Sequence, residues 1–168
     1  MKHILFVRHA KSDWSDGTLS DFDRPLNRRG KHDAPLMAKH LKKIGCVPTF
    51  ILSSPAKRAF STAKLFAKEF GIDKSAIKTD EILYESFTAQ LIGAVARLPD
   101  DHDIAAIFSH NPATTSAIAQ FSDDYIGNVP TCGIGVISFE GTEWAALTPA
   151  NAKLSKLLIP KQVLDEYQ

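Results

Sequence analysis

Two arginines and two histidines stand where apolar runs give way to helix-forming segments. Arg8-His9 follows Ile4-Leu5-Phe6-Val7. Arg58 falls in the opening turn after Ser54-Pro55, behind Phe50-Ile51-Leu52, and His110 follows Ile104–Phe108 directly before Asn111-Pro112. A continuous apolar run reads as a strand buried on both faces, as in a parallel sheet. If these strands are parallel, all three junctions share one edge of the sheet, the edge where open α/β sheets bind ligands. Arginine suits phosphate because its planar fork holds two oxygens at once. Helix N-termini with free N–H groups also favour an anion. The residues therefore specify an anion site suited to phosphate, with a potential imidazole nucleophile in it. Taken singly, each has a duller reading: a surface charge, or a hydrogen-bonded structural histidine. The coincidence of four at equivalent junctions carries the argument. His3, His32, His40 and His102 lie outside the junctions and read as structural.

The elements that must position these groups alternate between apolar runs and helix-period segments, which predicts an α/β fold with a mainly parallel sheet. After the first strand, Lys11 to Arg24 is a long polar stretch, either mobile or part of a site. Asn27 is placed to cap a helix running to about Ile44, with Ala34, Met37, Leu41 and Ile44 on one face and Gly45 past its end. Pro35 predicts either a bend or a regular part starting near Lys31. Ser54-Pro55 reads as a cap and first-turn proline, and Asn111-Pro112 repeats that start. Ala59, Ala63, Phe66 and Phe70 mark the buried face of the second helix, which ends at Gly71. A short strand is expected around Ile77-Lys78-Thr79, a helix from about Thr88 to Leu98, and a hairpin from Ile134 to Leu147 split at Gly141.

The chain has 168 residues, which suits a single domain able to bury roughly 70% of its unfolded surface without metals or disulfides. Cys46 and Cys132 show no metal-like spacing and read as small buried hydrophobes, consistent with a reducing cytoplasm. No apolar stretch approaches the roughly 20 residues of a membrane span. Arg8, His9 and Lys11 interrupt the first apolar run too early for a secretory leader. The net charge of +1 hides an asymmetry: residues 1–60 hold 12 Lys/Arg against 5 Asp/Glu, and residues 81–130 hold 1 against 7. A basic N-terminal third can attract an anionic substrate or be solvated helix surface. Nothing resembles a nucleic-acid-binding arm or stacking motif.

Arg8-His9-Ala10 resembles the Arg-His-Gly signature of the histidine phosphatase superfamily, with alanine in the glycine place. Ser53-Ser54-Pro55-Ala56-Lys57-Arg58-Ala59 with Thr62-Ala63 resembles its second motif, and His110-Asn111-Pro112 its third. The resemblance is nearest to the small SixA-type phosphohistidine phosphatases. It includes Val7-Arg8-His9-Ala10-Lys11-Ser12 with Trp14, then Asp21-Phe22-Asp23-Arg24-Pro25-Leu26 with Arg29-Gly30. Leu98-Pro99, Pro130-Thr131, Trp144 and Pro160-Lys161 carry it across nearly the whole chain.

The resemblance implies a three-layer α/β/α sandwich of the phosphoglycerate mutase-like kind and roles for the matching positions. His9 is the expected nucleophile, taking the phosphoryl group onto a ring nitrogen. Arg8, Arg58 and His110 are the expected phosphate-binding residues, with His110 protonated. Ser15 falls where relatives place an asparagine facing the phosphate. Glu85 falls where many place a leaving-group acid, with Asp80 and Glu81 as fallbacks; as a bare residue, Glu85 reads equally well as a surface carboxylate. Ser109, in the usual glycine place, is expected to tighten the turn. A neutral imidazole is a fair nucleophile near pH 7, and flanking arginines oppose its protonation.

Positive side chains supply the charge that phosphoryl transfer needs, so no metal or cofactor is expected. The expected activity is hydrolysis of phosphohistidine on a signalling or phosphotransfer protein through a covalent enzyme intermediate. The rival enzyme reading is a phosphatase for small phosphoesters such as sugar or nucleotide phosphates. A non-catalytic phosphate-binding regulatory module is the rival from another class, and the intact set of four speaks against it.

Overall fold

A computed structural model describes residues 1–167. Six strands, β1 (Lys2–Arg8), β2 (Phe50–Ser53), β3 (Lys78–Thr79), β4 (Ile104–Ser109), β5 (Ile134–Phe139) and β6 (Ala152–Leu158), form one sheet in the order β3-β2-β4-β1-β5-β6. The first four are mutually parallel, whereas β5 runs antiparallel to both β1 and β6. Helices α1 (Arg28–Lys43), α2 (Lys57–Phe70), α3 (Thr88–Ala96), α4 (Ala113–Ala119) and α5 (Pro160–Val163) cover the two faces. Among the described residues, no helix is long and apolar enough to cross a membrane.

The apolar run of β1 explains the layering. Ile4 and Phe6 point into one core, with Leu91, Val95 and Ile118 from α3 and α4 and with Trp144. Leu5 and Val7 point into the other, with Met37 and Leu41 of α1 and Phe66 of α2. All four β1 side chains are fully buried, as expected of a strand alternating between two covered faces. α1 starts on an Asn27 cap that accepts from the Gly30 N–H at 2.9 Å. It continues unbroken through Pro35 and closes with Gly45 at φ 76°, where Gly45 and Cys46 N–H groups bond Lys42 and Leu41 carbonyls. That is the left-handed helix ending glycine favours.

Three expectations change. Neither proline junction starts its helix at the anticipated cap: α2 is capped at Ala56 and α4 at Pro112. The Ser54 and Asn111 side chains still accept from nearby N–H groups, that of Ala56 at 3.2 Å and that of Thr115 at 3.1 Å. The hairpin does lie at the sheet's edge, but its second strand is β6, and 142–147 contains a 3-10 turn at Trp144–Ala146. Burial of the Trp144 indole, whose Nε1 donates to the Pro99 and His102 carbonyls at 3.1 Å each, overrides the strand-like alternation there. The polar stretch after β1 is tied down at its base. The Asn27 N–H donates to the Lys11 carbonyl and the Asp13 N–H to that of Pro25, with a Ser12–Leu26 bridge between. A Cβ on Gly30 would run into the Lys11 carbonyl, so the approach needs glycine.

Candidate active site

β1 and β4 are neighbours whose following segments leave toward opposite faces, α1 on one and α4 on the other. Such a switch point opens a crevice at the strands' carboxyl ends. His9 and His110 sit at those two ends; the His9 N–H donates to the Ser109 carbonyl at 3.0 Å, and the rings lie 5.1 Å apart between centroids. Arg8 and Arg58 join them, so the structure brings together the four residues that stood at separate junctions in the sequence. A loop over the tip of β1 fixes it. The Cys132 N–H, at a residue with φ 62°, reaches the carbonyls of Arg8 and His9 at 3.0 Å each. The Val129 carbonyl accepts from Arg8 Nη1 at 2.9 Å and Asn111 Nδ2 at 3.1 Å.

His9 is buried, 8% exposed, rather than presented at an open strand tip. Its Nδ1 lies 2.8 Å from the Ala10 carbonyl. A carbonyl only accepts, so Nδ1 carries the proton and Nε2 keeps a free lone pair. Burial is the main reason that the His9 pKa falls to about 4; the Ala10 bond opposes the shift, and Arg58, Arg8 and Arg24 add to it. The arginines thus help keep the ring neutral, but desolvation does more.

His110 differs from expectation. Burial first, then the neighbouring His9 and Arg58, push it down to about 3 against the pull of Asp21. It is neutral near pH 7 and offers an N–H rather than a charge. The Ser54 hydroxyl accepts from the Ala56 N–H at 3.2 Å and meets His110 Nε2 at 2.8 Å. The His110 ring is the only acceptor for the Ser54 O–H among the described residues, so Ser54 is assigned as the donor to Nε2, which places the ring proton on Nδ1. Ser109 bonds Thr114 side chain to side chain at 2.8 Å, consistent with a tightened turn.

The second arginine is held from two sides. Its helix is anchored through Thr62, whose Oγ1 accepts from the Ala10 N–H at 3.0 Å and donates to the Arg58 carbonyl at 2.7 Å. Its fork is held by Asp21, which Arg58 contacts through Nη1 on the carbonyl and Nη2 on Oδ2. Asp21 also accepts from Arg24 Nη2 at 2.8 Å and from the Tyr84 hydroxyl at 2.7 Å. Burial pushes the Asp21 carboxyl up, but the bonds from Tyr84 and Arg24 and the charge of Arg58 outweigh it and hold it at about 2. The same bond, with burial, raises the Tyr84 phenol to about 12.

Four buried nitrogens have no protein partner among the described residues: Arg8 Nε, Arg24 Nε, Arg58 Nε and His110 Nδ1. Buried donors are costly when unpaired. All four belong to residues whose charge or ring acts on His9 or contacts it. Positive side chains and unpartnered buried nitrogens around His9 suit an oxyanion.

Arg24, Asp21, Tyr84 and Ser54 are the site residues that sequence reasoning did not assign. Asp21 and Arg24 lay within the motif block that carried the family resemblance, and an acid and an arginine together in a pinned loop beside a phosphate site were the available signal. Ser15 and Glu85 are not drawn into the buried cluster. Ser15 is exposed, and its N–H donates to Asp13 Oδ1 at 2.7 Å. Glu85 is exposed at φ 56°, a left-handed conformation uncommon for glutamate. Of the fallback acids, Asp80 caps the next turn through the Ile82 N–H at 3.0 Å and Glu81 is exposed.

Residues 4–88 match the model of the histidine phosphatase superfamily, branch 1. An uncharacterised protein of Mycobacterium tuberculosis is 32% identical over 166 residues, which cover 92% of this chain and 100% of that protein. The structure of a candidate phosphohistidine phosphatase SixA from Agrobacterium tumefaciens is similar with a TM-score of 0.78 at 25% identity, covering 95% of this chain and 98% of that one. The protein histidine phosphatase SixA complexed with tungstate gives a TM-score of 0.80 at 18% identity, over 96% and 99% of the two chains. That last likeness speaks for the fold, a phosphoglycerate mutase-like α/β arrangement.

Proposed function

The chain belongs to the histidine phosphatase superfamily, and from that membership we propose that it hydrolyses phosphohistidine on proteins through a phosphoryl-His9 intermediate. The observation that carries the reading is the free Nε2 of a neutral, buried His9 set among unpartnered donors of Arg8, Arg24, Arg58 and His110. In the first step Nε2 attacks phosphorus and the bond to the leaving group breaks. The arginine forks and His110 Nδ1–H take the charge of the transferring group, which is most of what phosphoryl transfer asks of a protein. In the second step water attacks the phosphoryl-His9, releases phosphate and restores the imidazole.

The substrate class follows from the leaving group. A histidine imidazole with its distal nitrogen protonated leaves as a neutral ring whose conjugate acid has a pKa of about 6.5. An alkoxide has a conjugate acid about as weak as water, near 15.7, and needs an acid beside it. Exposed Glu85 stands outside the buried cluster, an arrangement that suits the easier leaving group. The similarity to a candidate phosphohistidine phosphatase supports the same choice.

The test compares turnover of a phosphohistidine-bearing protein with a panel of sugar and nucleotide phosphates at matched enzyme concentration. The phosphohistidine protein is expected to give the larger kcat/KM. Preference for the esters, with a strong loss in Glu85→Gln, would assign the protein to small phosphoesters instead.

A further inference from the structure

Phosphoryl recognition leaves unexplained a set of rings beside the site. His110 meets the edge of Tyr84, with 5.7 Å between ring centroids, and Tyr84 meets the edge of Phe22 at 5.2 Å. The ladder thus climbs from a catalytic ring to a phenylalanine that is 38% exposed. On the other flank Trp14 is 70% exposed, with one face covered by the Arg24 guanidinium, whose carbon lies 3.2 Å from the ring centroid. Both flanks converge on Asp21: Arg24 donates to Oδ1 and Tyr84 to Oδ2. Exposed rings gathered at the rim of a polar pocket mark a place where a ligand or partner is met.

We propose that Trp14, Phe22 and Tyr84 form a ring subsite that selects a flat heteroaromatic leaving group, the imidazole of phosphohistidine, over a leaving group without a ring. The inference rests on the phosphohistidine reading and deepens it. With phosphorus held at His9 Nε2, in-line displacement sends the leaving group away from His9. Trp14 and Phe22 stand on the pinned 13–25 excursion, and Tyr84 follows β3, so all three rise from the carboxyl edge of the sheet. Aromatic faces and edges gain from offset or edge-to-face contact with another ring, and an amine or alkyl group offers no such contact.

Phosphoramidate and phosphohistidine separate the two terms, because both carry a P–N bond and only the second carries a ring. Phe22→Ala and Trp14→Ala should each lower kcat/KM for phosphohistidine roughly threefold to tenfold and leave phosphoramidate within about twofold. Phe22→Tyr, which keeps the ring, should retain the wild-type preference. Inhibition by tungstate, a ringless oxyanion, checks that each variant is folded with its phosphoryl pocket intact. An unchanged preference in both alanine variants overturns the subsite. So does an equal fall on both substrates, which would mean that the rings only support Arg24 and Tyr84. If the wild-type protein turns over phosphoramidate with no preference for the ring, the subsite fails while the P–N phosphatase reading stands. If it turns over neither P–N compound but cleaves esters, the functional reading itself falls.

Discussion

Asp21 grips the Arg58 guanidinium at two points, its carbonyl 2.6 Å from Nη1 and its Oδ2 3.0 Å from Nη2. The aspartate belongs to the excursion after β1 and the arginine to the first turn of α2. Their contact therefore fixes the loop over the pocket and orients the fork beneath it. With both terminal nitrogens on Asp21, the buried Nε of Arg58 has no partner among the described residues.

Asp21→Asn removes the charge while keeping the shape. Charge-assisted bonds of this kind contribute roughly 1.5–3 kcal/mol when buried, and the Asp21 side chain is 49% exposed, so the lower end applies. About a tenfold loss in kcat/KM is expected, with weaker tungstate inhibition. Tyr84→Phe, which removes one of the several donors on Asp21, should lose less. Steady-state kinetics with unchanged tungstate affinity in Asp21→Asn would contradict the positioning role.

Stability should depend on pH through the two site histidines. Their folded pKa values, about 4 for His9 and about 3 for His110, lie below the ordinary 6.5. Between pH 6.5 and about 4 the unfolded chain binds more protons than the folded one, so stability rises with pH across that window and falls as acid is added. The loss should be on the order of a few kcal/mol. Denaturant unfolding at pH 6.5, 5.5 and 4.5 checks this. His110→Asn should flatten the slope, and a wild-type profile already flat over the window would refute buried, neutral histidines.

Glu85→Gln should leave turnover of phosphohistidine within about threefold, because an imidazole leaving group needs little acid assistance. The comparison is with a phosphoester under the same conditions. A loss of a hundredfold or more on phosphohistidine would place Glu85 in the catalytic step despite its exposure.

Chelation with EDTA should leave activity unchanged, because arginine forks and an imidazole N–H are assigned the charge of the transferring group. Activity that EDTA abolishes and a divalent cation restores would require a different mechanism.

The parallel strands and three of the four candidate junction residues are legible because their signals are local. Continuous apolar runs mark β1 and β4, and Arg8, His9 and His110 sit directly at their ends. Helix starts were less legible. Ser54 and Asn111 look like caps in sequence and do accept from nearby N–H groups, those of Ala56 and Thr115. Each also bonds a distant partner, the His110 ring and the Val129 carbonyl, and the helices start only after Ala56 and Pro112. β6 was missed because its lysines interrupt the strand period at an exposed edge, while burial of Trp144 drew 142–147 away from the sheet. Asp21 and Arg24 escaped assignment because their roles arise only when the excursion folds back over α2. The neutral state of His110 follows from burial, which residue type alone does not reveal.

The most direct test of the mechanism is to trap the intermediate. The protein is mixed briefly with a 32P-phosphohistidine protein, quenched in alkali to preserve P–N bonds, and digested for mass spectrometry. Label is expected on His9, at the ring nitrogen that does not bond Ala10. His9→Ala should carry none and lose roughly four orders of magnitude or more in turnover. Label on another residue, or full turnover by His9→Ala, would contradict the assignment of His9 as the nucleophile.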